Sequence, residues 1–177
     1  MSRRDELLEQ IKNKAVVKGK VILSSGKEAD FYIDLRRITL DAVAAPMVGE
    51  VMLEMTKHLD YEAVGGLTLG ADPVATAMLH AAAIRGQKLN AFVVRKSEKA
   101  HGLQRRIEGP DVRGKKVLAV EDTSTTGSSV LSAVKALNEA GATVVAVAVM
   151  VDRGAREVVT REGLTYLSIF EMAEVTN

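Results

Sequence analysis

Cysteine is absent from the 177 residues. That excludes a disulfide framework, a thiol nucleophile and a thiolate-bound metal, and it fits a reducing cytoplasm. An excess of charge is lacking too: 24 Lys and Arg nearly cancel 23 Asp and Glu, leaving a formal net charge of +1. A dedicated nucleic-acid binder usually carries a strongly basic domain, so no nucleic-acid partner is expected. No apolar run approaches the roughly 20 residues that span a bilayer, so no membrane partner is expected either. Residues 144–151 form the longest such run and fit a strand. The opening MSRRDELLEQIKNK mixes acids with bases and lacks the apolar centre of a signal peptide. Neither an internal repeat nor a low-complexity tract is visible. What is present is a hydrophobic fraction of 47%, enough for a core, with 27% charged residues to cover it. A soluble, cytoplasmic chain of one domain's length is the expectation.

Leu7, Leu8, Ile11, Ala15 and Val16 recur at helical spacing and predict an amphipathic opening helix. Residues 21–23 and 31–35 read as short strands around the turn Ser24-Ser25-Gly26-Lys27. A helix follows near 43–58, with Pro46 in its first turn. The rhythm then changes. Short apolar runs at 63–67, 91–94, 117–121, 143–151 and 164–169 alternate with helical stretches at 73–84, 128–140 and 155–162. Such alternation predicts an α/β fold, a parallel sheet flanked by helices. Only 95–116 shows no apolar periodicity. A connection of that length inside a compact domain is usually functional or a linker, and the strands on either side read as one sheet, so a functional loop is expected.

The strongest chemical signal is Val117-Leu118-Ala119-Val120-Glu121-Asp122-Thr123-Ser124-Thr125-Thr126-Gly127-Ser128-Ser129. An apolar strand ends in paired carboxylates, then small hydroxyl residues, one glycine and a helix start. Open α/β sheets place ligands at the carboxyl ends of their strands. Free amides at a helix start, with Thr and Ser hydroxyls, suit a phosphate dianion. The two acids suit sugar hydroxyls with a cation nearby. An ordinary capped strand-to-helix connection would account for the hydroxyl residues but not for the paired acids. The second signal is Arg95-Lys96-Ser97-Glu98-Lys99-Ala100-His101-Gly102. Between Arg95 and Lys116 stand eight bases against three acids, a third of all the Lys and Arg. Such a segment can neutralise a polyanion, and the plain alternative is a solvated charged loop. Gly65-Gly66-Leu67-Thr68-Leu69-Gly70-Ala71-Asp72-Pro73 is either a tight turn with Asp72 as cap or a second phosphate contact.

The segment from Val117 to Ser129 closely resembles the phosphoribosyl-pyrophosphate (PRPP) motif of type I phosphoribosyltransferases. The stretch from Arg95 to Gly102 resembles the mobile catalytic loop of orotate phosphoribosyltransferases, with Ile107-Glu108-Gly109 on its far side. The segment Leu23-Ser24-Ser25-Gly26-Lys27-Glu28-Ala29-Asp30-Phe31-Tyr32-Ile33-Asp34 is similar to their N-terminal hood. The resemblance covers about 23–153 and implies one phosphoribosyltransferase domain over 1–177, with the hood mainly within 1–40 and the core at 41–177. By it, Glu121 and Asp122 would bind the ribose hydroxyls, and Thr123, Ser124, Thr125, Thr126, Gly127, Ser128 and Ser129 would wrap the 5′-phosphate. Arg95, Lys96, Lys99 and His101 would meet pyrophosphate, with Lys99, His101 and Asp122 catalytic. Tyr32, Ile33, Thr125 and Arg153 would bind orotate. Mg²⁺ would be carried by PRPP rather than held by a metal site of the protein, and the loop would reach into a partner's site in a homodimer. The implied reaction joins orotate to PRPP, giving orotidine 5′-monophosphate and pyrophosphate in pyrimidine synthesis. A purine or xanthine phosphoribosyltransferase, or a PRPP-sensing RNA-binding regulator, would share the PRPP motif. Two departures stand out: many members have Lys where this chain has Gly70, and some have Lys where it has Ser24.

Overall fold

The computed structural model of the chain describes residues 1–22, 28–97 and 106–176. Ser2 opens the first helix, α1 (Arg3–Lys14), through a capping box. Its hydroxyl accepts from the Asp5 amide at 3.2 Å, and its own amide donates to the Asp5 carboxylate at 3.0 Å. Leu7 and Ile11, four residues apart on one face, are buried. Helix α1 stops at Ala15, and the β-branched pair Val16-Val17 begins β1 (Val16–Ile22) at once. Val16 thus belongs to a strand, although its spacing suggested the helix. β1 runs antiparallel to β2 (Glu28–Ile33), with Val16 opposite Ile33. The Asp34 amide donates to the Ala15 carbonyl at 3.0 Å, in register with the ladder, and β2 ends before 35 as the chain bends into the short helix α2 (Arg36–Thr39). The expected turn at Ser24-Ser25-Gly26-Lys27 lies outside the described residues.

Asp41 caps α3 (Ala44–Thr56), accepting the amides of Val43 and Ala44 at 3.0 and 2.9 Å. Strands and helices then alternate: β3 (Ala63–Leu67), α4 (Ala71–Ile84), β4 (Asn90–Val94), β5 (Ile107–Glu108), β6 (Lys116–Ser124), α5 (Ser128–Glu139), β7 (Thr143–Asp152), α6 (Arg156–Arg161), β8 (Tyr166–Glu171) and α7 (Met172–Thr176). The sheet order is β5-β4-β3-β6-β7-β8, parallel throughout except for β5. Side chains alternate between its two faces. Val64, Leu118, Val120 and Met150 join α1, α3 and α4 in one core, while Val117, Ala119, Val147 and Val149 join α5 and α6 in the other. The parallel α/β architecture is therefore the one expected.

The stretch 95–116 is not one structureless loop. The Arg95 amide donates to the Arg106 carbonyl at 2.7 Å, and β5 pairs with the end of β4, Glu108 opposite Val93 and Ile107 opposite Val94. Val112 is buried against the α5 side of the sheet. A two-residue strand and one buried valine are too short to make a periodic signal.

Candidate active site

The carboxyl edge of the sheet gathers the predicted motif. β6 continues past the acidic pair: Thr123 lies opposite Val151 and Ser124 opposite Asp152, and the Thr123 hydroxyl donates to the Val151 carbonyl at 3.0 Å. Glu121 and Asp122 therefore sit inside the strand, not at its frayed end, and their side chains are held rather than solvated. Thr125 and Thr126 are exposed, and Gly127 turns the chain at φ 77°, a left-handed conformation that suits glycine. A Cβ there would stand 3.2 Å from Val159 Cγ2. The Leu131 amide donates to the Gly127 carbonyl at 2.9 Å, so the α5 ladder begins there and the amides ahead of it have no helical acceptor. The Thr126 and Ser128 hydroxyls lie 3.0 Å apart at the same mouth, with Ser129 half-buried behind them. Free amides, hydroxyls and a helix start are donors of the kind a phosphate group accepts.

The acidic pair is electrostatically strained. Glu121 is 5% exposed, and burial, reinforced by the charge of Asp122, pushes its carboxyl up to about 8. Burial also raises Asp122. The Thr123 amide, donating at 2.7 Å, and the Arg36 guanidinium pull Asp122 back, while Asp34 opposes them. Arg36 is itself raised by its hydrogen bond to Asp34, Nε to Oδ1 at 2.9 Å. Neither Asp34 nor Arg36 was singled out in the sequence. Their signal was an acid and a base two residues apart directly after the aromatic strand.

The glycine-rich turn meets this pair directly. A Cβ on Gly70 would lie 2.1 Å from Glu121 Oε1 and 2.8 Å from Asp122 Oδ1. A side chain at this position would collide with the acidic pair as it stands. Helix α4 starts at Ala71 with Gly70 as its cap, so Asp72 lies inside the helix and is not the cap the sequence suggested. Its Oδ2 accepts from the Thr68 hydroxyl at 2.6 Å, and its buried Oδ1 has no hydrogen-bond partner among the described residues. Among the described residues no three acidic or imidazole side chains converge to hold a metal ion by themselves.

The other expected residues divide. Arg153 follows β7 at the same edge, its amide donating to the Ser124 carbonyl at 2.9 Å. Tyr32 is half-buried beside Arg36, whereas the Ile33 side chain is packed into the core and leaves only its backbone to a ligand. Arg95 stands after β4, its guanidinium 3.5 Å from Glu108, and Lys96 is exposed. Lys99 and His101 lie outside the described residues. The local excess of bases does not all face the site. Lys115 and Lys116 pair with Glu62 and Asp60, each at 2.7 Å, at the amino-terminal edge of the sheet. Arg106 turns inward to the Arg95 carbonyl and the Ser132 hydroxyl, each at 3.1 Å from Nη2.

Comparison with known proteins agrees with this geometry. The family model described as a phosphoribosyl transferase domain matches residues 63–173, from β3 to the start of α7. The chain belongs to the phosphoribosyl transferase family. Orotate phosphoribosyltransferase of Streptomyces avermitilis is 62% identical over 175 residues, covering 97% of this chain and 96% of the relative. The crystal structure of Mycobacterium tuberculosis orotate phosphoribosyltransferase with Fe(III) dicitrate superposes with a TM-score of 0.91 at 53% identity, covering 99% of this chain and all of that one. The same protein in complex with PRPP gives a TM-score of 0.87 at 48% identity, again over 99% of this chain and 100% of that one. Within the family, this chain groups with the orotate phosphoribosyltransferases.

Proposed function

We propose that the protein is an orotate phosphoribosyltransferase, a pentosyltransferase that joins orotate to PRPP to give orotidine 5′-monophosphate and pyrophosphate in pyrimidine synthesis. The observation that carries this is the β6–α5 connection, a phosphate receptacle beside a buried carboxylate pair, in a chain grouped with orotate phosphoribosyltransferases over nearly its whole length. One domain serves the reaction, with the hood within 1–40 covering the base and the core at 41–177 holding PRPP.

The receptacle from Thr123 to Ser129 binds the 5′-phosphate, and Glu121 with Asp122 engages the ribose 2′- and 3′-hydroxyls. Burial, reinforced by the charge of Asp122, favours the protonated form of the Glu121 carboxyl in the free protein. One proton in the pair relieves its repulsion before substrate arrives, and the Glu121 hydroxyl can donate as well as accept. Mg²⁺ would arrive on PRPP and would supply neutralisation of the pyrophosphate charge. The attacking ring nitrogen of orotate bonds to ribose C1 as the C1–O bond to pyrophosphate breaks, and its N–H proton can leave with the departing pyrophosphate. The protein stabilises positive charge developing at ribose C1 while pyrophosphate departs toward Arg95, Lys96, Lys99 and His101. Tyr32, the Ile33 backbone and Thr125 border the base, and Arg153 pairs with its carboxylate.

The active form is a homodimer in the cytoplasm, each loop serving the partner's site. Leu40, Val43 and Leu69 support this assembly, since all three are large apolar side chains left exposed on one chain. No helix among the described residues is long and apolar enough to cross a membrane. The test is a panel of bases, orotate, uracil, hypoxanthine and xanthine, offered with PRPP and Mg²⁺. Orotate alone is expected to turn over. Turnover of a purine without orotate would overturn the assignment, and salt-sensitive RNA binding without turnover would point to a regulator.

A further inference from the structure

Arg153 is followed by a short turn whose hydrogen bonds converge on one buried side chain. Asp152, 3% exposed, accepts on Oδ1 from the amides of Gly154 at 3.0 Å and Ala155 at 2.9 Å. The same oxygen accepts from the Tyr166 hydroxyl at 3.1 Å, reaching across from β8. On the other side the Arg153 amide is tied to the Ser124 carbonyl at 2.9 Å, at the end of the strand that carries the acidic pair. The backbone of Arg153 is thus pinned both at its own amide and at the two amides that follow, and Gly154 takes φ 111° to allow it.

Asp152 is also the nearest carboxylate to Arg153 in sequence and could have captured it as an ion pair. Its second oxygen instead faces Arg156, with Nε 3.7 Å from Oδ2. Arg156 is held in place by Ser168 at 2.7 Å and Glu171 at 2.6 Å, and it stacks over the Tyr166 ring at 5.1 Å. Asp152 is therefore saturated by Gly154, Ala155, Tyr166 and Arg156. No ion pair or hydrogen bond of the Arg153 guanidinium occurs among the described residues.

We propose that Asp152 and Tyr166 are positioning residues for orotate: they fix the turn that carries Arg153 and, with Arg156, keep the Arg153 guanidinium uncommitted for the substrate carboxylate. This rests on the assignment of Arg153 to orotate. Neither residue touches substrate. The turn carries the base end of the site and touches the phosphate receptacle only through the backbone at Ser124 and Thr125, so the larger effect falls on orotate.

The experiment measures KM for orotate and for PRPP, with kcat and Tm, in Asp152→Ala, Asp152→Asn, Tyr166→Phe and Arg153→Ala. Asp152→Ala is expected to raise KM for orotate by roughly tenfold or more and KM for PRPP by several-fold less. Asp152→Asn keeps an oxygen for the two amides and is expected to recover most of that loss. Tyr166→Phe removes one donor and is expected to raise KM for orotate about threefold. Should Asp152→Ala fail to fold, Tyr166→Phe and Asp152→Asn decide. If Arg153→Ala raises KM for orotate while Tyr166→Phe and the Asp152 variants leave it unchanged, or shift both KM values equally, the positioning role is refuted and the assignment of Arg153 stands. If Arg153→Ala itself leaves KM for orotate unchanged, the assignment fails and the proposal falls with it.

Discussion

Replacing Gly70 by alanine isolates a single close approach. Gly70 has φ −62° and ψ −40°, which alanine adopts without strain, so the backbone does not oppose the change. The added methyl group would lie 2.1 Å from Glu121 Oε1, where carbon and oxygen need about 3.3 Å. The carboxyl must retreat by about 1 Å, and the Asp122 carboxyl, at 2.8 Å, must give as well. Hydrogen bonds tolerate only a few tenths of an ångström about 2.7–3.2 Å. A displacement of this size breaks a hydrogen bond between Glu121 and a ribose hydroxyl. A hydrogen bond of a neutral carboxyl contributes about 0.5–1.5 kcal/mol, equivalent to a roughly 2- to 13-fold rise in KM for PRPP. The assay is initial-rate kinetics with PRPP varied at saturating orotate, alongside a thermal melt. A KM for PRPP unchanged within about twofold, with the fold intact, would refute the claim that Gly70 makes room for the acidic pair.

Three other perturbations bear on separate parts of the account. The Glu121 carboxyl is raised from its ordinary 4.5 to about 8, so the folded protein holds a proton that the unfolded chain releases. Stability should therefore fall as pH rises from about 5 to 8, and Glu121→Gln should flatten that slope in denaturant titrations; an identical slope in the variant contradicts the shift. Lys99→Ala should lower kcat at least roughly tenfold with folding intact. Mixing it with Asp122→Ala protein should restore activity through hybrid sites, and no recovery despite proven subunit exchange argues against shared sites. Ser2→Ala removes the cap of α1 and should lower Tm by about 2–4 °C without altering either KM; a kinetic effect would show that α1 reaches the site.

The alternating strands and helices were legible because each buried strand is a dense apolar run and each helix repeats on one face, as in residues 117–120 and in Val130, Val134 and Leu137. The acidic pair and the hydroxyl-rich turn were legible for a similar reason, being contiguous in sequence. What escaped detection depends on residues far apart in the chain. Nothing near Gly70 announces that Glu121 fills the space beside it. Nothing near Asp152 announces Tyr166. The cationic stretch misled in part because charge is counted along the chain but acts in space. Lys115 and Lys116 belong to the opposite edge of the sheet from Asp122. Short elements were lost as well: β5 has two residues and α2 four, about one period each, so neither pattern repeats.

A crystal structure with PRPP and orotate bound tests most directly where PRPP sits. The 5′-phosphate is expected on the amides and hydroxyls between Thr123 and Ser129, the ribose hydroxyls on Glu121 and Asp122, and the orotate carboxylate on Arg153. A phosphate bound elsewhere on the sheet edge, with the Glu121–Asp122 pair facing no sugar, would contradict it.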